Sequence, residues 1–265
     1  MVAERSSFYC QTVEGLIGDV IAQDSKILIV CGGDVDRDVF ARLRFANVTI
    51  TNLDERLNED SFPPYQWSLA DAEDLPFEDG SFDWGVVSAG LHHCRSPHRA
   101  LLELYRVSRF GIIGFESRDS AAMRLALNSG LIDAYELVAV AANGMVAGGV
   151  ANTAVPNYVY RWTEREVEKT IASYAPHRCH EYRYSRELEI PWSVVAAGGG
   201  WRARVLKLLA PAARGVAKLF PSQANLFSFT VIKVQGKGAL QPWIEMSDEG
   251  PAPNQDWIRR RLQGN

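Results

Sequence analysis

The chain has 265 residues, 47% of them hydrophobic, which is enough for one sizeable core or one domain carrying an insertion. Its net charge of -4 argues against a nucleic-acid partner, because such binders carry a basic footprint. The four cysteines (Cys10, Cys31, Cys94, Cys179) are widely separated and form no CxxC pair, so neither a disulfide framework nor a zinc cluster is expected, and the default setting is a reducing cytosol.

No apolar run approaches the roughly 18–20 residues that span a bilayer, and "MVAERSSFYC" lacks the charged-then-apolar pattern of an export signal. "TVEGLIGDVIAQ" (12–23) has helical spacing. "KILIV" (26–30) is a continuous β-branched run, as expected of a strand covered on both faces. It leads into the turn "CGGDVDRD", and a helix is predicted from Asp36 to Phe45. "VTITNLD" (48–54), "WSLAD" (67–71), "FDWGVVSAG" (82–90) and "FGIIGFES" (110–117) read as further strands, with a helix at 96–108 that has Pro97 in its first turn. This alternation predicts an α/β fold with a Rossmann-like, doubly wound sheet, mostly parallel with an antiparallel last strand.

The rhythm breaks after strand five. Residues 118–162 read as an inserted helix and mobile loop. Thr163 and Glu166 form a capping box for a helix at 163–174. Late strands are expected at 180–190 and 225–234, separated by a basic amphipathic helix (201–220) interrupted at Pro211. Residues 1–235 form one domain on this reading, and 236–265 a Pro-rich, loosely attached tail.

Open α/β sheets bind ligands beyond the carboxyl ends of their strands. Here those ends carry Cys31-Gly32-Gly33, then Asp54, then Asp71-Ala72, then Ser88 to His93, then Glu116. Small residues after strand one admit a ligand to the backbone. A carboxylate after strand two accepts bonds from both hydroxyls of a ribose. Asp71 with a backbone amide reads an adenine edge. Asp34, Asp36 and Asp38 repel a dinucleotide's diphosphate but tolerate an ammonium, which favours S-adenosylmethionine over a nicotinamide cofactor.

The segment from Asp71 to Ser117, with Leu75-Pro76-Phe77, Ser81-Phe82-Asp83 and Leu91-His92-His93, resembles the middle of class I S-adenosylmethionine-dependent methyltransferases, in the branch of ubiquinone and small-molecule enzymes. The resemblance covers about residues 12–117. It implies that Cys31, Gly32 and Gly33 face the methionine part, Asp54 the ribose, Asp71 and Ala72 the adenine, and Ser88, Ala89 and Leu91 the sulfonium. The chain departs from the family at Ile29, where an acid is usual, and at Val35, where a glycine is usual.

Methyl transfer to a hydroxyl calls for alignment and a general base. His92, His93 and Glu116 are the candidates, with Asp119 beside them. A metal at His92-His93-Cys94 is not expected, since the sequence shows no fourth partner. Tyr158, Tyr160, Arg161 and Trp162, next to Asn157, have the polar-aromatic chemistry of a sugar-binding surface, or cover the sheet edge. "PNYVYRWTEREVEKT" also resembles methyltransferases of bacterial surface-glycan pathways.

From Ile190 to Ile244 there is no acid, while Arg202, Arg204, Lys207, Arg214 and Lys218 lie on the amphipathic helix. That helix rests on an anionic membrane, grips an anionic, lipid-linked substrate, or packs against the sheet with its arginines in water. The expected protein is a cytoplasmic enzyme, with the inner membrane face as the alternative setting. It O-methylates a sugar or other small-molecule hydroxyl, in glycolipid or polysaccharide synthesis. The competing reading is a non-catalytic relative that serves as a scaffold.

Overall fold

The computed structural model describes residues 2–190 and 200–263, excluding the side chains of residues 2–6 and of Arg202. Seven strands form one sheet in the order β3-β2-β1-β4-β5-β7-β6. They are β1 (Ile27–Val30), β2 (Val48–Asn52), β3 (Gln66–Leu69), β4 (Phe82–Ser88), β5 (Ser108–Ser117), β6 (His180–Glu187) and β7 (Leu226–Lys233). All pairings from β3 to β5 are parallel. Only β7, wedged between β5 and β6, runs antiparallel to its neighbours. The expected sheet is therefore present, antiparallel last strand included.

The apolar strands bury both faces. Leu28 and Val30 point into one core with Leu101, Leu104 and Ile171, while Ile27 and Ile29 point into the other with Val13, Phe40 and Phe115. Helices α3 (Pro97–Val107) and α6 (Glu164–Tyr174) cover the first face. Helices α1 (Val2–Glu14) and α2 (Asp34–Arg42) cover the second. Ser96 caps α3, and Thr163 caps α6 through the expected box with Glu166.

The first helix lies earlier than the periodicity indicates. It ends at Glu14, and the chain turns through Gly18, whose φ of +82° a residue with a side chain rarely adopts. Pro211 does not interrupt its helix, which runs unbroken from Gly200 to Leu219 (α7). The insertion holds two helices, α4 (Ala121–Asn128) and α5 (Leu137–Ala142). The tail is folded rather than loose. A hairpin of β8 (Ile244–Ser247) and β9 (Gly250–Pro253) leads into α8 (Gln255–Gln263), and Trp243 packs on Trp257. Backbone bonds from Cys179 to Ala239 and from Gln241 to His177 tie it to the domain.

Past β5, the Arg118 guanidinium grips Glu164 with two bonds of 3.0 and 2.8 Å, and Arg186 adds a third at 2.8 Å. Burial pushes the Glu164 carboxyl up, but the two guanidiniums outweigh it and hold the pKa at about 2. The folded value lies below the free value of 4.5, so this contribution is present above pH 4.5 and is lost as pH falls toward 2. Glu164→Gln is expected to cost about 1–2 kcal/mol at pH 7, allowing for solvent screening, and almost nothing at pH 2. Urea unfolding at both pH values measures this, and an equal cost at both contradicts it.

Candidate donor and catalytic site

Strands β1 and β4 adjoin where the strand order reverses, so their carboxyl ends open a crevice. Both turns there carry a non-glycine residue in the left-handed region, Cys31 at φ 53° and Ala89 at φ 52°. Such strain costs on the order of 1–3 kcal/mol and persists where packing over-determines it. The two turns are pressed together: a Cβ on Gly90 would sit 2.4 Å from Cys31 Cβ. Gly32 is required for a related reason, since its Cβ would lie 2.7 Å from Ile50 Cγ2.

A cavity of about 240 Å3 occupies the crevice. Cys31, Gly32, Asp54, Asp71, Ala72, Ala89, Gly90 and His93 all line it. Gly33, Ser88 and Leu91 do not. Gly33 is the N-cap of α2, with its amide bonded to Asp36 Oδ2, and Leu91 is fully buried in the core. Asn52, which the sequence reading passed over, joins the two sides of the crevice: its Nδ2 donates to the Gly32 carbonyl and its Oδ1 accepts from the Asp54 amide. The Arg56 side chain clasps Asp54 at 2.7 and 2.6 Å, which holds its carboxyl below the usual range. The insertion closes the cavity from above, where Asn152 Nδ2 donates to the Leu53 carbonyl.

Beside the cavity lies a charged cluster. Glu116, wholly buried, accepts the Gly90 and Leu91 amides on Oε1 and faces His92 Nδ1 with Oε2 at 2.9 Å. On its other side, His92 Nε2 lies 3.2 Å from Glu136 Oε2. Burial opposes a charge on His92, but Glu116 and Glu136 outweigh it and raise the pKa to about 9. Burial likewise pushes Glu136 up, and the histidines outweigh that to hold it at about 2. At neutral pH, His92 is thus an imidazolium between two carboxylates.

His93 differs. Its ring is 4.6 Å from that of His92, and its pKa is lowered by burial and by the neighbouring cation. Its Nε2 lies 3.4 Å from Glu136 Oε2. Of the three catalytic candidates, only His93 lines the cavity. Glu116 and His92 do not reach the cavity and act on the turn that carries His93. Cys94 faces the Gly90 carbonyl instead of joining the histidines.

Glu136 was missed because no local pattern marks it. It arrives through an antiparallel bridge in which the Glu136 amide bonds the Asn157 carbonyl and Tyr135 pairs with Tyr158. The same strand pairing corrects the acceptor surface. Trp162 is fully buried against His98, and Tyr160 gives its hydroxyl to Glu166. Arg161 binds the Val159 and Asp133 carbonyls. Of these four only Tyr158 is exposed, edge-on to the exposed Tyr135.

A family profile described as "Methyltransferase domain" matches residues 29–112, which span β1 to β5. The mitochondrial 2-methoxy-6-polyprenyl-1,4-benzoquinol methylase of Leishmania donovani is 37% identical over 57 residues, 22% of this chain and 20% of that protein. The ubiquinone/menaquinone biosynthesis C-methyltransferase UbiE of Roseobacter denitrificans is 28% identical over 116 residues, 38% of this chain and 46% of that protein. The chain thus spans less than half the length of these curated relatives. The YcgJ protein of Bacillus subtilis superimposes with TM-score 0.52 at 13% identity, over 88% of this chain and 100% of that one. The [4+2]-cyclase SpnF does so with TM-score 0.51 at 15% identity, over 86% and 81%. These two likenesses are of fold.

The cavity suits S-adenosylmethionine, the cofactor this family uses. Its walls at β1 and β4 are small residues, and the Asp54 and Asp71 carboxylates line it as hydrogen-bond acceptors of the kind that ribose hydroxyls and an adenine amine require. Residues 29–112, from β1 into β5, are thus similar to a methyltransferase domain, and the sheet around them has the fold of the solved neighbours.

Proposed function

We propose that the protein transfers a methyl group from S-adenosylmethionine to a hydroxyl oxygen of a small organic acceptor. The observation that carries this is the pairing of a donor cavity with one neutral imidazole in its wall, His93, set apart from a protonated neighbour. When bound, S-adenosylmethionine supplies an electrophilic methyl on a cationic sulfonium. Asp54 would hold the ribose and Asp71 the adenine. The neutral imidazole of His93 accepts the acceptor's proton as the new bond to carbon forms. Glu136, 3.4 Å from His93 Nε2, stabilises the resulting cation. His92, already charged, cannot take that proton and keeps the turn in place.

The names of the two curated relatives favour a second reading, methylation of a quinol ring carbon. That reaction also begins by deprotonating a hydroxyl, so it places the same demand on His93. A sugar acceptor has less support, because Tyr160, Arg161 and Trp162 are committed to the fold.

Calorimetry with S-adenosylmethionine, followed by mass and carbon-NMR analysis of products from phenolic, sugar and quinol acceptors, tests these readings. Absence of donor binding at millimolar concentration would favour the scaffold reading and sink both. Asp54→Ala is expected to weaken donor binding on the order of 10- to 100-fold, the loss of one or two charge-assisted hydrogen bonds. Wild-type affinity in that variant removes Asp54 from the ribose.

A further inference from the structure

Helix α7 presents its apolar side to solvent. Ala210 is buried, and Leu206, Ala213 and Ala217 are half-buried on the same side, so this narrow, mostly alanine stripe is the one that packs. On the opposite side, Trp201, Leu208 and Leu219 fall in one line, spaced by seven and eleven residues, and are 59%, 79% and 76% exposed. Leu209 and Val216 widen this stripe, and Phe220 extends it past the helix end. Arg204, Lys207 and Lys218, all exposed, form a basic row along one edge. No acid occurs anywhere from 190 to 244. The sequence leaves three roles open for this helix, and an outward apolar stripe is the opposite of what packing against the sheet produces.

We infer that α7 is a docking element for an anionic membrane surface. It lies in the interface plane with Trp201, Leu208 and Leu219 at the acyl boundary and Arg204, Lys207 and Lys218 on the phosphates. Charge complementarity selects this partner, because an acid-free cationic edge beside a wide apolar stripe matches lipid headgroups above acyl chains. No helix among the described residues is long and apolar enough to cross a membrane, so α7 rests on the surface.

Its position relative to the cavity gives the contact a purpose. The helix runs into the turn Pro221–Gln223, whose carbonyls receive the Arg118 guanidinium and the Ser120 hydroxyl at the carboxyl edge of the sheet. At that edge α4 exposes Leu125, and the insertion exposes Met145 and Val146. The end of α7 is therefore anchored at the same carboxyl edge of the sheet on which the cavity opens.

Co-sedimentation with phosphatidylcholine vesicles, with and without phosphatidylglycerol, tests this on the full chain without reference to catalysis. Wild type is expected to bind the phosphatidylglycerol vesicles, more weakly in high salt, and to stay free of the neutral ones. Lys207→Ala and Lys218→Ala are expected to weaken binding about fivefold each, and Leu208→Asp with Leu219→Asp to abolish it. All four positions are exposed, and an unchanged circular dichroism spectrum and melting temperature certify the fold of each variant. Wild type that remains in the supernatant overturns the inference, as does the Leu208→Asp/Leu219→Asp variant binding like wild type. A dimer in sedimentation velocity that those substitutions break, without vesicle binding, overturns it in favour of self-association. Failure of donor binding leaves this result untouched, so the two readings fail separately.

Discussion

Glu116→Ala is expected to lower the free energy of unfolding by about 3–5 kcal/mol, the cost of stranding one member of a buried ion pair. Three groups lose their acceptor together: the Gly90 and Leu91 amides and the His92 imidazolium. His92 is only 6% exposed, so water does not replace the carboxylate. Glu116→Gln is the informative companion. Its carbonyl still accepts both amides, but its –NH2 faces His92, so His92 titrates well below about 9. Urea denaturation gives the first quantity and an NMR titration of the His92 ring the second. A cost under about 1 kcal/mol for the alanine variant would show that the carboxylate does not hold this turn. The stability owed to His92 carries a sign. Its folded pKa is raised from 6.5, so the contribution is complete below pH 6.5 and is lost as pH rises through about 9.

The second large effect is on rate. His93→Ala is expected to lower kcat on the order of 10²- to 10⁴-fold, the usual worth of a positioned general base, while donor affinity changes by no more than about tenfold. Because burial and the His92 cation lower its pKa, wild-type kcat stays flat through neutral pH and falls only on an acid limb below pH 6.5. A positioning residue gives a different pattern. Glu136→Gln is expected to shift that limb and to cost less than the loss of the imidazole itself. Full-time-course kinetics with the acceptor found by product analysis separates these. If His93→Ala keeps kcat within about fivefold of wild type, another group takes the proton and the base assignment is wrong.

The donor side of the site was legible because each residue ends a strand, and a parallel sheet places strand ends in register. Cys31, Asp54, Asp71 and Ala89 therefore reach one cavity from four separate strand ends. The glycines were legible only by position. Gly32 proves necessary because of Ile50 behind it, and Gly33 serves as a helix cap. Asn52, inside its strand, carried no signal above that of any polar residue at a strand end. The acceptor side was misread because aromatic content does not say which face a ring presents. Trp162 and Tyr160 read identically whether they stack on a ligand or, as here, on His98 and each other.

The alternation of strands and helices, the residues at the strand ends and a histidine pair among them follow from local pattern, since apolar runs, turn residues and caps act over a few neighbours. Division of labour within the pair does not. His92 and His93 are adjacent in sequence and chemically alike, and they separate into a cation and a neutral base because buried Glu116 pairs with His92 alone, while Glu136 lies between the two rings. Those carboxylates are 24 and 44 residues away. The outward turn of α7 is decided in the same way. The sequence contains both a small-residue stripe and a leucine stripe, and packing selects the alanines, which leaves Trp201, Leu208 and Leu219 facing outward. Electrostatics inside a low-dielectric cluster and the choice of packing face both depend on neighbours distant in sequence, and the tertiary structure alone supplies them.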